Sequence, residues 1–306
     1  MTAEQALATR MRAQRLVAPA ADLRDVVALQ AQDVRAVEVA AANRGLAVEG
    51  VRTWAMRGTL HLLHPADARW VVGLLGPHFI AVGARRRAQL GLDDELCARA
   101  LAAFGEVLQE PKDRADTVRA LAEVGVVVDP RSQAPAHLLA FAANSGVVQR
   151  GLDDRYGLLE GGDDDPRGLV DLLHRYLEAY GPATVEDFAA WTGLRLGDVR
   201  RIPLEGLWDT GFGLVPEGTV PAEPSGATRF LGHFDTYLLG YRDRSLALSP
   251  ADAPEVQTGG GFLTPHVVVD GRVVGTWKRE GDEVVVSPFP PGRGGEVRRS
   301  AGEDTR

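Results

Sequence analysis

A chain of 306 residues exceeds the size at which a single hydrophobic core is usual, so more than one compact unit is predicted. A formal charge of -8 excludes a protein that coats nucleic acid by bulk electrostatics, while leaving room for a local basic groove. The single cysteine, Cys97, excludes an intrachain disulfide and a multi-thiolate metal site, and no window approaches ~18 uninterrupted apolar residues, so a cytoplasmic protein with no membrane partner is expected.

Residues 2 to 16 carry apolar positions at helical spacing until APAADLRD breaks the pattern. Asp22 is placed to cap the next apolar segment, VVALQAQDVRAVEVAAANRG, which reads as one or two short helices ending at Gly45. The period then changes, and Val51 to Met56 and Thr59 to Leu63 read as strands joined by an Arg57-Gly58 turn. Three helices followed by a hairpin is the plan of a winged helix. TVRALAEVG, APAHLLAFAANSGVVQRG and RYGLLE repeat that grammar, with an extended pair at Val147 to Arg150 and Tyr156 to Glu160.

After the acidic EGGDDDP a long helix stops at Gly181-Pro182, Thr184 caps VEDFAAWTG, and a tight turn leads into LGDVRRI, a helix-turn-helix pattern. Beyond residue 207 short β-rich runs take over: GFGLVP, FLGHFDTYLLGY, HVVVDGRVVGTWKR and DEVVVSPF. Asp270-Gly271 suits a two-residue hairpin turn. The final PPGRGGEVRRSAGEDTR has no periodicity and reads as disordered. The expected fold class is α+β. Tandem winged-helix units are expected, a first at 1–85, a winged-helix-like second at 86–165 and a third, helix-turn-helix unit at 166–206, followed by a small C-terminal antiparallel β-barrel at 207–290 and a disordered tail at 291–306.

The seven histidines include no HExxH and no carboxylate-histidine cluster, and QTGGGFLTP lacks the lysine of a phosphate loop. With no GxSxG elbow and no kinase signature either, neither a metal nor a cofactor is expected. Arg195, Arg200 and Arg201, and the run Arg85, Arg86 and Arg87, either grip DNA phosphates or form wet helix faces. Gln30 and Gln32 pose a sharper question. On a helix, residues two apart point about 200° away from each other, so both face one cavity only where the chain is extended or bent. Pattern alone leaves two readings, capping or surface amides against a functional pair, because a neutral amide has no titratable proton.

LQAQD at 29–33, RTWAMRGTLHLL at 52–63, RYLEAYGPATVEDFAAWTGL at 175–194, FDTYLLGYRDR at 234–244 and VVVDGRVVGTWKR at 267–279 together resemble the winged-helix DNA glycosylase family that includes AlkZ and YcaQ. The resemblance runs in order from about residue 10 to 287, with 105 to 165 loosely matched. It implies a C-shaped body of three winged-helix units and a β-barrel around damaged double-stranded DNA. It also implies a catalytic signature of glutamine, an apolar residue, then glutamine or aspartate. Gln30, Ala31 and Gln32 match the glutamine branch, whereas Asp33 is displaced by one position.

The same resemblance implies excision of alkylated purines, including N7-alkylguanine adducts and interstrand crosslinks. With only two lysines, Lys112 outside the shared motifs and Lys278 in the barrel hairpin motif, a monofunctional glycosylase using water is expected, with no cofactor and no obligate protein partner. Arg57, His61, Asp235, Tyr237 and Arg244, in the shared motifs, either line the cleft or stitch the units together. The alternative function is a non-catalytic winged-helix DNA-binding protein or regulator.

Overall fold

A computed structural model describes residues 1–160, 165–259 and 261–290. The expected disordered tail and part of the acidic stretch, 161–164, lie outside the described residues. Thr2 and Gln5 form a capping box that starts α1 (Ala3–Ala13). Leu7 and Met11 of this helix pack against Leu231, Tyr237, Leu238 and Val268 from the far end of the chain.

The next apolar segment departs from the helical expectation. Asp22 caps a 3-10 turn, Leu23–Val26, after which Val27 at φ 62 redirects the chain into strand β1 (Ala28–Gln30). Strand pairing overrides helical spacing here. Ala28, Leu29 and Gln30 sit opposite Leu63, Leu62 and His61, so their backbone groups are satisfied across the sheet. Asp33 then caps α2 (Val34–Ala42) through its Oδ1. The predicted hairpin forms β2 (Val51–Trp54) and β3 (Leu60–Leu63), giving a sheet ordered β1-β3-β2. One face of this sheet buries Leu29, Ala31 and Leu62 against Val37, Ala40 and Ala41 of α2.

Helix α3 (Pro65–Gln89) runs unbroken past residue 85, where the first expected unit ends. Helices α4 (Asp94–Val107), α5 (Arg114–Glu123) and α6 (Ala134–Asn144), with strands β4 (Val148–Arg150) and β5 (Tyr156–Leu158), enclose a second core around Phe104, Leu121 and Leu138. Then come α7 (Leu169–Tyr180), α8 (Val185–Thr192) started by the Thr184–Asp187 capping box, and α9 (Leu196–Val199), a single turn. Tyr176, Tyr180, Phe188 and Trp191 join these helices to Met56, Leu63 and Trp70 in the largest core. The four rings pack with centroids as close as 4.9 Å, between Tyr176 and Trp191.

Strands β6 (Leu207–Asp209) and β7 (Leu214–Pro216) form a separate hairpin. Of FLGHFDTYLLGY, expected as β-rich, β8 (Thr228–Leu231) is strand, but Asp235 caps a helical turn, α10 (Thr236–Leu239). Strands β9 (His266–Val269), β10 (Arg272–Glu280) and β11 (Glu283–Pro288) complete an open antiparallel sheet ordered β11-β10-β9-β8. The expected barrel is therefore not closed among the described residues, because β8 and β11 are opposite edges. The predicted Asp270-Gly271 turn joins β9 to β10 with φ of 45° and 85°. A Cβ on Gly271 would lie 2.7 Å from Cβ of Leu7, so the turn seats against α1. The architecture is α+β, with no helix among the described residues long and apolar enough to cross a membrane.

Candidate active site

The two glutamines meet. Gln30 ends β1 and Gln32 stands where the chain bends out of that strand toward α2, which brings the two side chains together. Nε2 of Gln30 donates to Oε1 of Gln32 at 3.1 Å and to Oγ1 of Thr59 at 3.2 Å. On its other side, the Gln30 carbonyl accepts from Nη2 of Arg57. Arg57, Gln30 and Gln32 thus form a one-way chain of donors, which fixes the orientation of the Gln30 amide. Gln30 is 4% exposed, whereas Gln32 is open to solvent. The outer glutamine keeps its amide N–H donors and one carbonyl lone pair for whatever enters.

Arg57 occupies the turn between β2 and β3 in the left-handed region, φ 57, an uncommon conformation for a long side chain. Its Nη1 donates to the Trp191 carbonyl at 3.2 Å, in the last turn of α8, where the helix dipole favours a cation. Gly193, at φ 83, ends that helix, and a Cβ there would lie 2.9 Å from Cα of Arg57. Glycine at 193 therefore lets the α8–α9 turn close on the Arg57 turn. Burial, reinforced by the Arg244 charge and opposed by Tyr180, pushes the Arg57 guanidinium down to about 10, so it stays charged at neutral pH.

His61 lies directly across the strands from Gln30 and is 1% exposed. Burial, then the Arg57 charge, pushes it down to about 3, against the opposing Thr59 carbonyl 3.0 Å from Nδ1. It is a neutral ring packed behind Gln30. Arg52, also buried, supports the motif's backbone: Nε donates to the Ala31 carbonyl at 2.7 Å and Nη2 to that of Gln32 at 3.4 Å. Its Nη1 is held by the Gly151 carbonyl at 2.8 Å and Asp154 at 2.6 Å, in the β4–β5 turn.

The other predicted residues bond to other partners. Asp235 is 1% exposed and forms a two-pronged ion pair with Arg44 at 2.8 and 2.9 Å, while its Oδ1 caps α10. Burial alone would raise its carboxyl, but the Arg44 charge and hydrogen bonds, with the Tyr237 amide, hold it below the ordinary value. Tyr237 is fully buried and donates to the Gly271 carbonyl at 2.6 Å. Both are internal ties. Arg244 donates to the Leu238 carbonyl and to Gln257, both at 2.9 Å, and burial lowers its pKa.

The arginine run divides. Arg85 and Arg86 are exposed, with Arg86 bonded to Gln133 at 2.8 Å, whereas Arg87 is buried against Phe141 and bonded to the Ile80 carbonyl. On the helix-turn-helix, Arg200 is paired with Glu186 at 2.7 Å and Arg201 with Asp198 at 2.9 Å. These two cations already have carboxylate partners. Sequence reading missed Arg52, Thr59, Arg44 and an Asp33–His233 pair at 3.0 Å. Arg52 and Thr59 carried a usable signal, a charged residue and a hydroxyl inside the apolar RTWAMRGTLHLL. The partners of Arg44 and Asp33 lie about two hundred positions away, with no local trace. Among the described residues no group of three or more His, Cys, Asp or Glu side chains is placed to hold a metal.

The α+β layout is one that a solved DNA glycosylase shares. It is similar to the solved structure of Streptomyces sahachiroi DNA glycosylase AlkZ, with a TM-score of 0.76 and 26% sequence identity over 95% of this chain and 91% of that one. The sequence narrows the class to a family. Residues 23–301 match the family model described as DNA glycosylase AlkZ-like, and the chain belongs to that family. It is also 30% identical over 280 residues to the interstrand DNA cross-link repair glycosylase of Streptomyces sahachiroi, covering 78% of this chain and 73% of that protein.

Proposed function

We propose that this protein is a monofunctional DNA glycosylase that removes alkylated purines, N7-alkylguanine and interstrand crosslinks among them, from double-stranded DNA by hydrolysis. The observation that carries the reading is the Arg57–Gln30–Gln32 chain of donors at the open end of β1. N7 alkylation makes the purine a cation, so the bond from C1′ to N9 breaks with its electron pair neutralising the base, and no strong acid is required. The sugar passes through an oxocarbenium-like state. Water adds to C1′ and its extra proton leaves to solvent.

In this reaction Arg57 and Thr59 lock Gln30, Gln30 orients Gln32, and the free lone pair of the Gln32 carbonyl holds the water and faces the positive sugar. Neither glutamine changes charge. Preorganised dipoles suffice because the leaving group is already activated. The helix-and-hairpin segments within 1–85 and 86–165 act as winged-helix units and 166–206 as a helix-turn-helix unit, together cradling the duplex in the cytoplasm, with Arg85, Arg86 and Arg244 toward phosphates. His61 backs Gln30, and no metal, cofactor or protein partner takes part. A lysine Schiff base is not used: Lys278 is mostly exposed and paired with Glu280 at 2.6 Å.

The test is release of base from duplexes carrying N7-methylguanine or an interstrand crosslink. Gln30→Ala and Gln32→Ala are expected to cut the single-turnover rate by about a hundred-fold, the scale of losing one preorganised dipole, with DNA affinity within two-fold. Borohydride should trap no covalent complex. If the wild-type protein releases no base from either duplex, or a complex is trapped, this reading fails.

A further inference from the structure

Asp33, the residue after the outer glutamine, meets a group of rings that the Arg57–Gln30–Gln32 chain leaves unused. The segment Phe230 to Phe234 runs alongside α2. Asn43 at one end of that helix donates to the Phe230 carbonyl at 3.0 Å, and Asp33 at the other end meets Nε2 of His233 at 3.0 Å. Between them Gly232 approaches so closely that a Cβ would sit 3.2 Å from Cγ1 of Val39. The Asp33 contact therefore places the His233 ring one residue from Gln32.

His233 and Phe262 are stacked, with centroids 5.8 Å apart and planes 16° from parallel. Phe234 meets Phe262 edge-on at 5.1 Å and 78°, and His233 at 5.3 Å and 67°. Two features set this cluster apart from ordinary packing. Phe262 is 41% exposed although it carries a full aromatic face. Phe234 is held at φ 58, a left-handed conformation that is an outlier for so bulky a residue. Such strain persists where surrounding contacts impose it, and it concentrates at ligand-binding positions.

We propose that His233, Phe234 and Phe262 form a stacking subsite beside Gln32 that receives the face of the target purine once it is displaced from the duplex stack. This rests on the glycosylase reading for the identity of the ligand. A displaced base loses its stacking neighbours, and an aromatic platform replaces them. For an N7-alkylated purine the ring also carries positive charge, which the negative face of a phenyl ring favours. Asp33 serves the subsite by fixing His233 while capping α2, and so ties the platform to the same three-residue link that presents Gln32.

The experiment measures binding rather than release, so that its outcome is independent of the chemistry. Wild type and Phe262→Leu are titrated with two duplexes, one carrying 2′-fluoro N7-methylguanosine, which resists hydrolysis, and one carrying a tetrahydrofuran abasic analogue. Phe262→Leu is expected to weaken binding of the base-containing duplex by roughly ten-fold, the scale of losing one stacked ring, while binding of the abasic duplex stays within two-fold. Trp208→Leu, an equally exposed ring on β6, is expected to change neither. Unchanged affinity for the base-containing duplex, or an equal loss on both duplexes, overturns the subsite. If the wild type releases no base in the preceding assay yet Phe262→Leu shows this selective loss, the hydrolytic reading fails and the subsite stands.

Discussion

Arg57 holds the inner end of the donor chain, and its replacement separates orientation from binding. Arg57→Lys keeps the charge but loses the planar fork that reaches Gln30 and the Trp191 carbonyl together. A hydrogen bond to a charged group is worth about 1.5–3 kcal/mol, so the single-turnover rate should fall roughly ten- to hundred-fold with little change in DNA affinity. An unchanged rate would remove Arg57 from the mechanism. His61 makes a different prediction. Its folded pKa, about 3, lies below the ordinary 6.5, so the unfolded chain takes up the proton first as pH falls. Stability is unaffected by this group above pH ~6.5 and drops from there toward pH ~3, by at most about 1.4 kcal/mol per pH unit. Fully buried His266, also lowered by burial, adds to the same slope. His61→Gln should flatten that slope in urea melts across this range, and an identical slope would show that His61 titrates normally.

At the scale of elements, the link that carries Gln32 is supported by a hairpin far along the chain. Arg52 satisfies two carbonyls, of Ala31 and Gln32, that have left the β-ladder, and Asp154 in the β4–β5 turn holds Arg52 in place. Asp154→Asn removes an exposed carboxylate, so global stability should change by under about 1 kcal/mol. The excision rate should nevertheless fall several-fold, with added amide exchange at residues 31 to 34. No slowing in Asp154→Asn would sink the coupling.

The same link shows what the sequence could reveal. The Arg57 turn, the Asp270-Gly271 hairpin and the Thr184 cap were legible because each is a local rule about backbone geometry, whereas pattern alone left the glutamine pair between two readings and only the five-motif resemblance singled it out. The strand at Ala28–Gln30 was not, since its apolar spacing also suits a helix and only pairing with Leu60–Leu63, thirty residues on, decides between them. Likewise, Asp235 and Tyr237 in a shared motif read equally well as cleft residues, and their burial depends on partners in α2 and in the β9–β10 turn.

For the whole molecule, the Arg44–Asp235 pair is a buried fastening between the part that carries the glutamines and the C-terminal part around α10. Both side chains have no exposed surface, and Arg44 also donates to the Ala40 carbonyl and to Thr236. Removing one charge leaves the other buried and uncompensated, which costs about 3–5 kcal/mol. Asp235→Asn should therefore lower the urea midpoint far more than any substitution at Gln32, which is exposed. The acid dependence follows from the direction of the Asp235 shift. Its folded pKa is below the unfolded value, so the stabilisation is present above the unfolded pKa, near 4, and is lost as pH falls through the folded value. Asp235→Asn should remove that part of the acid sensitivity while lowering stability at neutral pH. Urea melts of both proteins between pH 7 and 3 test this together. Parallel curves would mean the pair contributes no pH-dependent stability, and coincident midpoints at pH 7 would mean that it does not fasten the two parts.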